Sequence, residues 1–253
     1  QTCALPIYIN IIALFPEVIK SSLIGVTGKA LENEKAKLNL IDLKDFSTNS
    51  YGSVDDSPYG GGEGMVMCIE PLEKALRSIS SPGKVINLSP QGKIFNHKKA
   101  IELSLLDNIT FICGRYEGID QRFIDSHVDE EISIGDFVLS GGEIAASVII
   151  DSMLRNLPGV IGNQDSVNKD SHSHGKLKGY SFTKPAIYNN QEVPKVLTSG
   201  DHGKIANWKL ANSLWVTKQK RPDLFEQLQL SEKEMILLQK YELAQKNLRK
   251  GDG

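Results

Sequence analysis

The stretch "SIGDFVLSGGEIAASVIID", residues 133 to 151, carries the most structural information in the chain. It opens like the end of a β-strand, turns on the pair Gly141-Gly142, and closes as an apolar helix from Ile144 to Arg155. The turn has neither the lysine of a phosphate loop nor the three glycines of a dinucleotide fingerprint. Two further glycine-bearing loops sit where strands should end, "NLSPQGK" (87–93) and "CGRYEGIDQR" (113–122). Ligands of open α/β sheets bind beyond the carboxyl ends of the strands, so three such loops can converge on one ligand. Any one of these glycines is explained by a tight turn alone. Together with Arg115, Tyr116, Glu117, Asp120, Asp136 and Glu143 they indicate a site. Main-chain N–H and C=O groups between apolar walls at Ile134, Phe137, Val138 and Leu139 suit a small adenosine-like ligand.

Outward from this stretch, short apolar runs alternate with helical patterns. Strands are predicted at Tyr8–Leu14, Leu38–Leu43, Lys84–Leu88 and Ile109–Cys113; "YINIIAL" and "ITFIC" are almost continuously apolar, as strands covered on both faces are. "IEPLEKALRSI" and "NHKKAIELSLL" place apolar residues at helical spacing, and Asn96 and Asp120 are candidate helix caps. The expected fold is α/β with a mainly parallel sheet. A fourth glycine run, "DDSPYGGGEGMVM" (55–67), lacks the flanking helix of a phosphate loop and reads equally as a close backbone approach or a loose loop.

After Gly162 the texture changes. "GNQDSVNKDSHSHGKLKG" has only Val167 and Leu177 as sizeable apolar residues and is expected to be a flexible linker. Beyond it, residues 203–228 and 231–248 read as amphipathic helices, the second with Ser231 and Glu234 in capping-box spacing. Trp208 and Trp215, seven apart, read as packing residues. The expected division is an α/β domain over 1–162, a linker over 163–179 and a helical domain over 180–253. The first seven residues, "QTCALPI", are expected to be foreign to the fold, because "YINIIALF" makes a buried strand without them.

With 253 residues, 40% hydrophobic and 24% charged, the composition is that of a globular protein with a sizeable core. No apolar run reaches the length of a membrane helix, and a cytoplasmic protein without membrane partners is expected. Cys3, Cys68 and Cys113 form neither a disulfide framework nor a zinc pattern. The formal charge of −2 argues against a surface that is basic throughout. Residues 202–221 nevertheless hold Lys204, Lys209, Lys218, Lys220 and Arg221 with no acid among them, and Lys246, Arg249 and Lys250 follow in the tail. The "DSHSH" segment with Asp165 and Asp170 lacks the framework of a metal site, and none is predicted.

The motifs "LFPEVI", "VTGKAL", "DDSPYGGGEGM", "LSPQGK", "CGRYEGID", "EEISIGDFVLSGGE", "LRNLPGVIGN", "DSH…TKP", "VPKVLTSGDH" and "W…RPDL" follow one another as in the bacterial tRNA (guanine-N(1))-methyltransferase family, the TrmD type. The resemblance runs from Ile9 to about Leu228. It implies a SPOUT methyltransferase: a parallel α/β domain with a deep trefoil knot, a small helical C-terminal domain, a homodimer, S-adenosylmethionine as methyl donor, and tRNA as the partner. The methylated base would be the guanosine just 3′ of the anticodon.

Carried over residue by residue, the resemblance assigns the donor pocket to Leu88, Ser89, Pro90, Gly92, Gly114, Tyr116, Glu117, Ile134, Gly135, Asp136, Phe137, Val138, Leu139, Gly141 and Gly142. It assigns the general base to Asp170, and to Arg155 the cation near O(6) of the guanine. Contacts to tRNA fall to Tyr59, Gly60, Ser171, Lys204, Lys209, Lys218 and Arg221. Magnesium often assists such enzymes; Glu117 or a phosphate would hold it, and no dedicated cage is visible. The chain departs from the family at Ile132, at Lys178 and Tyr180, and at Phe182-Thr183-Lys184, where contacts to the target guanosine are put in question. Two other readings remain open: methylation of a different RNA, and a non-catalytic module that binds an adenosine ligand or RNA.

Overall fold

The computed structural model describes residues 5–48, 52–162 and 169–250, with the side chains of 248–250 left aside. The chain divides into two compact units, 1–164 and 165–253.

The first unit is built on a five-stranded sheet in the order β2-β1-β6-β5-β7, every neighbouring pair parallel. The strands are β1 (Ile7–Ala13), β2 (Ala36–Asp42), β5 (Lys84–Ile94), β6 (Asn108–Cys113) and β7 (Glu130–Ser133). A two-stranded ribbon, β3 (Asp55–Asp56) with β4 (Val66–Met67), brackets the glycine run of 60–64. Helices α1 (Pro16–Ser22), α2 (Gly25–Glu32), α3 (Ile69–Arg77), α4 (His97–Ser104), α5 (Gln121–His127) and α6 (Gly142–Leu154) connect and cover the strands.

The near-continuous apolar strands have the reason the sequence suggests: both sheet faces are covered. Ile9 and Ile11 of β1 with Ile109, Phe111 and Cys113 of β6 pack into one cluster, which α6 joins through Ala146, Ile149, Ile150, Met153 and Leu154. Ile12 and Ile112 turn the other way, against Leu72, Ala75 and Phe123 of α3 and α5. Each fully buried Ile, Leu, Met or Phe contributes about 1.5–3 kcal/mol, so these two layers hold the sheet. The polar residue within β1 is satisfied: Asn10 donates to the Thr110 hydroxyl at 3.4 Å and accepts from the Asn39 amide at 3.0 Å.

Ile7 corrects the expectation for the N-terminus. It is buried, pairs with Ala36 and begins β1, because the parallel ladder to β2 extends one residue beyond the predicted strand. Residues 1–4 lie outside the described residues.

Strand β5 departs from regular pairing at the point that matters most. Leu88 pairs with Ile132, and so does Lys93; residues 89–92 leave the ladder and return to it. Gly92 is pressed against the returning strand, where a Cβ would lie 2.4 Å from the Ile132 nitrogen and 2.5 Å from the Glu131 carbonyl carbon. Only glycine fits that approach.

The second unit contains α7 (His202–Lys220), α8 (Pro222–Phe225), α9 (Glu232–Lys250) and a small ribbon, β8 (Ile187–Tyr188) with β9 (Gln191–Glu192). The helix expected over 203–228 is broken at Arg221, since Pro222 supplies no N–H and starts a new turn. Trp208 and Trp215 both pack on Tyr241, at 5.9 and 5.8 Å between ring centroids. Asn212 is fully buried between them, donating to the Tyr241 hydroxyl at 2.6 Å and accepting the Tyr180 N–H. The expected caps form: Asn96 accepts from the Lys99 N–H at 3.0 Å, and Ser231 and Glu234 exchange backbone hydrogen bonds at 3.0 and 3.3 Å.

Of the segment expected to be a linker, residues 163–168, with Asp165 and Val167, lie outside the described residues. Residues 169–179 form closed turns in the second unit. The Leu177 N–H donates to the Thr217 hydroxyl of α7 at 2.9 Å, and the Leu177 carbonyl accepts from Ser213.

Candidate active site

Beyond the carboxyl ends of β6 and β7, and beside the excursion of β5, lies a cleft of about 450 Å³. Its walls are the three loops singled out in the sequence. Leu88, Ser89 and Pro90 come from the β5 excursion, Gly114, Tyr116 and Glu117 from the loop after β6, and Ile134, Gly135, Phe137, Val138, Leu139, Gly141 and Gly142 from the loop after β7.

Two expected members do not line it. Gly92 is spent on the contact with β7, and Asp136 is exposed and is not among the lining residues. The sequence reading had not assigned Asn87, Gln91, Ile119 or Glu131 to the cleft, and they line it. For Asn87 and Gln91 a signal existed, since both stand inside the quoted "NLSPQGK".

Backbone contacts tie the loops together. The Gly142 N–H donates to the Gly114 carbonyl at 2.9 Å, and Arg115 bridges Gly141 in antiparallel fashion. The Glu117 N–H reaches the Met65 carbonyl at 2.9 Å, which brings the end of the fourth glycine run to the same rim. The reason for the glycine pair lies behind the loop rather than in the cleft: a Cβ on Gly142 would lie 2.8 Å from the Cys113 Cα, so α6 can start against β6 only without a side chain there. Tyr116 is held at φ +59°, an uncommon conformation for a residue with a Cβ and a mark of a built site.

An ion pair underpins the same loops. Glu143, 1% exposed, accepts from Arg115 Nε at 2.9 Å and from the Phe15 N–H at 3.3 Å; Arg115 also lies 4.4 Å above the Phe15 ring. Burial pushes the Cys113 thiol well up, and the Glu143 carboxylate adds to the rise. Asp120 caps α5 by accepting from the Arg122 N–H; its hydrogen bonds to the Arg122 side chain hold its carboxyl below the usual range.

The charge of the cleft narrows its ligand. Its charged lining residues are Arg115, Glu117 and Glu131, and Arg115 is already engaged by Glu143. Glu131 accepts from the Asn87 amide at 2.7 Å, while Asn87 Oδ1 is buried without a partner among the described residues. Such a lining disfavours phosphates and suits a nucleoside carrying positive charge.

The remaining predicted residues are distributed as follows. Arg155 closes α6, in the favourable position for a cation at a helix C-terminus. Asp170 lies at the start of the second unit's first turn, its Oδ1 3.2 Å from Lys178 Nζ. Ser171 accepts from the Lys178 N–H at 3.0 Å. Tyr59 is fully exposed beside Gly60, which has φ +88°.

The basic stretch is less positive than its sequence. Acids just outside it and on α9 reach it: Asp201 to Lys204 at 3.1 Å, Glu242 of α9 to Lys218 at 2.7 Å and Asp223 to Arg221 at 2.6 Å. Lys209 is exposed, and Lys220 lies 5.4 Å from the Tyr180 ring centroid. Among the described residues no group of three His, Cys, Asp or Glu is placed to hold a metal ion, and no helix is long and apolar enough to cross a membrane.

Fold and cleft together define a class: an α/β protein that takes a nucleoside-sized ligand at the carboxyl ends of parallel strands. Comparison with known proteins is more specific. The family model described as tRNA (Guanine-1)-methyltransferase TrmD matches residues 7–227. A tRNA (guanine-N(1)-)-methyltransferase of Lactobacillus johnsonii is 45% identical, covering 94% of this chain and 99% of its own. Its namesake from Hahella chejuensis is 47% identical over 92% of each chain, and that from Nitrosomonas europaea 45% identical over 87% of this chain and 85% of its own. The chain belongs to the TrmD family of tRNA (guanine-1)-methyltransferases.

Proposed function

We propose that the protein transfers the methyl group of S-adenosylmethionine to N(1) of guanine in tRNA, at the guanosine just 3′ of the anticodon. The observation that carries this reading is the cleft: its volume falls in the range of small-molecule sites, its loops offer main-chain groups, and its acidic lining suits a cationic nucleoside. S-adenosylmethionine, bound there, supplies an electrophilic methyl group on a sulfonium centre. The residues present fit it: Glu117 and Glu131 line the cleft that would take a positive ligand, and Asn87 Oδ1 is a buried acceptor without a donor among the described residues.

Guanine N(1) holds its proton far more tightly than a free carboxylate would. Asp170 is proposed as the base that accepts that proton, and Arg155 as the cation that meets the negative charge collecting on O(6). A positioned base is typically worth about 10²- to 10⁴-fold. The loops are proposed, on the family resemblance, to form a deep trefoil knot. Exposed apolar side chains on α6, Ile144 and Val148, support pairing of two copies into a homodimer. Magnesium is proposed to sit between the exposed Glu117 and a phosphate of the RNA. In the second unit Tyr59's counterparts for RNA contact are Ser171 and the helix residues Lys204, Lys209, Lys218 and Arg221, acting in the cytoplasm on tRNA phosphates.

Calorimetric titration with S-adenosylmethionine, followed by labelled methyl transfer to tRNA and to ribosomal RNA fragments, tests this reading. Uptake of the donor and one methyl group per tRNA at guanine N(1) are expected. Absence of donor uptake overturns the assignment of the cleft, and methylation of ribosomal RNA alone overturns the substrate.

A further inference from the structure

The turn that opens the second unit pairs the proposed base with a cation from its own loop. Lys178 Nζ lies 3.2 Å from Asp170 Oδ1. The loop between them is closed by three hydrogen bonds from backbone N–H groups: Lys178 to the Ser171 hydroxyl at 3.0 Å, His172 to the Lys176 carbonyl at 2.8 Å, and Gly175 to the His172 carbonyl at 3.2 Å. Its far end is fastened to α7 through Leu177. With side chains 50% and 29% exposed, the pair adds little to folding.

Resting on the proposed role of Asp170, we infer that Lys178 is a second catalytic cation of the methyl transfer, which donates to O(6) of the target guanine. The charge balance carries the argument. Before reaction the ammonium is matched by the Asp170 carboxylate. When the N(1)–H bond breaks, an O–H bond forms on Asp170 and its carboxylate becomes neutral. The negative charge is then shared by N(1) and O(6) of the base, and Lys178 is left beside it without its partner. The ammonium therefore transfers its interaction from Asp170 to O(6) in the step that creates the anion. The N(1) electron pair next forms the bond to the methyl carbon, and the C–S electron pair leaves with sulfur as a neutral thioether. Stabilisation that appears only as charge develops raises the rate of the chemical step rather than affinity.

The test uses the full-length protein and tRNA carrying either guanosine or 6-thioguanosine at the target position, with wild type, Lys178→Met and Lys178→Arg. Lys178→Met is expected to lower the single-turnover rate about 10- to 100-fold, at or below the lower end of the range for loss of one anion-stabilising donor, because Lys178 is half exposed. The tRNA KM should stay within about twofold, and S-adenosylmethionine affinity and thermal midpoint should be unchanged. Lys178→Arg should regain most of the rate. Replacing O(6) by sulfur, a poorer acceptor, should slow wild type by more than it slows Lys178→Met, since the variant has already lost its share of the interaction at that atom. A Lys178→Met enzyme with the wild-type rate, a loss confined to KM, or an undiminished sulfur penalty overturns the inference while the function stands. A wild-type protein that does not methylate guanine N(1) overturns the function itself.

Discussion

Arg115→Met is the substitution that asks most of the architecture around the cleft. Glu143 is 1% exposed, and its carboxylate accepts from the Arg115 guanidinium at 2.9 Å and from the Phe15 N–H at 3.3 Å. Glu143 Oε2 has none among the described residues. Methionine preserves most of the methylene packing of arginine but removes the charge, so a buried carboxylate is left with one neutral donor. Breaking a buried pair from one side costs about 3–5 kcal/mol. The lost stacking on Phe15, itself partly exposed, adds about 0.5–1 kcal/mol. At about 2–4 °C per kcal/mol for a unit of this size, the first transition in scanning calorimetry should fall by roughly 7–24 °C. The cleft should suffer as well, because Arg115 joins the β6 and β7 loops through its bridge to Gly141 and its contact with the Ser140 carbonyl at 3.4 Å. Combining Arg115→Met with Glu143→Gln removes both charges, and buried pairs replaced on both sides are often neutral in stability. The double variant should therefore recover most of the lost midpoint. An Arg115→Met midpoint within about 2 °C of wild type, or a double variant less stable than either single one, would refute the claim that this pair holds the loops.

Asp170→Ala should abolish methyl transfer to tRNA while leaving S-adenosylmethionine affinity intact, since all residues lining the cleft belong to the first unit; isothermal titration beside a turnover assay checks both halves. Gly142→Ala should weaken donor binding and lower the thermal midpoint together, because its Cβ meets the Cys113 Cα at 2.8 Å and α6 must shift. Asn212→Leu, which strands the Tyr180 N–H and the Tyr241 hydroxyl in the core of the second unit, should cost about 1–3 kcal/mol by urea titration. Burial pulls the Glu130 carboxyl upward, but Lys84 at 2.6 Å and Lys99 at 2.9 Å outweigh it and hold the group below the usual range. A depressed carboxyl contributes stability that is complete above its unfolded value, about 4.3, and is lost as pH falls below it. The advantage of wild type over Glu130→Gln should therefore be constant near neutrality and shrink below about pH 4.3; an advantage independent of pH down to 3 would contradict the assignment.

What the sequence disclosed followed from how local each signal was. The parallel sheet was legible because strands covered on both faces need apolar residues at nearly every position, and "YINIIAL" and "ITFIC" supply them. The cleft was legible as three loops because glycine, proline and polar residues cluster where strands end. The start of β1 at Ile7 was missed, since a strand's extent depends on the length of its neighbour β2, which no local pattern records. The fate of Gly92 and the neutralisation of Lys204, Lys218 and Arg221 were likewise invisible: each depends on a partner that arrives from elsewhere in the fold or from just beyond the quoted window.

The same distinction explains the loop that carries Asp170. Read as composition, residues 163–179 are polar and glycine-bearing, with too little apolar surface to offset the entropy of ordering them. The described part, 169–179, is nonetheless a closed turn, because hydrogen bonds inside the loop and to Ser213 and Thr217 substitute for apolar burial. Those partners lie about forty residues downstream on α7, where sequence reading finds only an amphipathic helix. On the role proposed for Asp170, a base on such a turn is positioned before RNA arrives, so its ordering occurs on folding and the binding energy of tRNA remains available for the chemical step. Thr217→Val with Ser213→Ala separates these cases: if the turn is preformed by α7, the variant should lose methyl-transfer rate at saturating tRNA while its donor affinity stays that of wild type. An unchanged rate would show that tRNA, and not α7, orders the base.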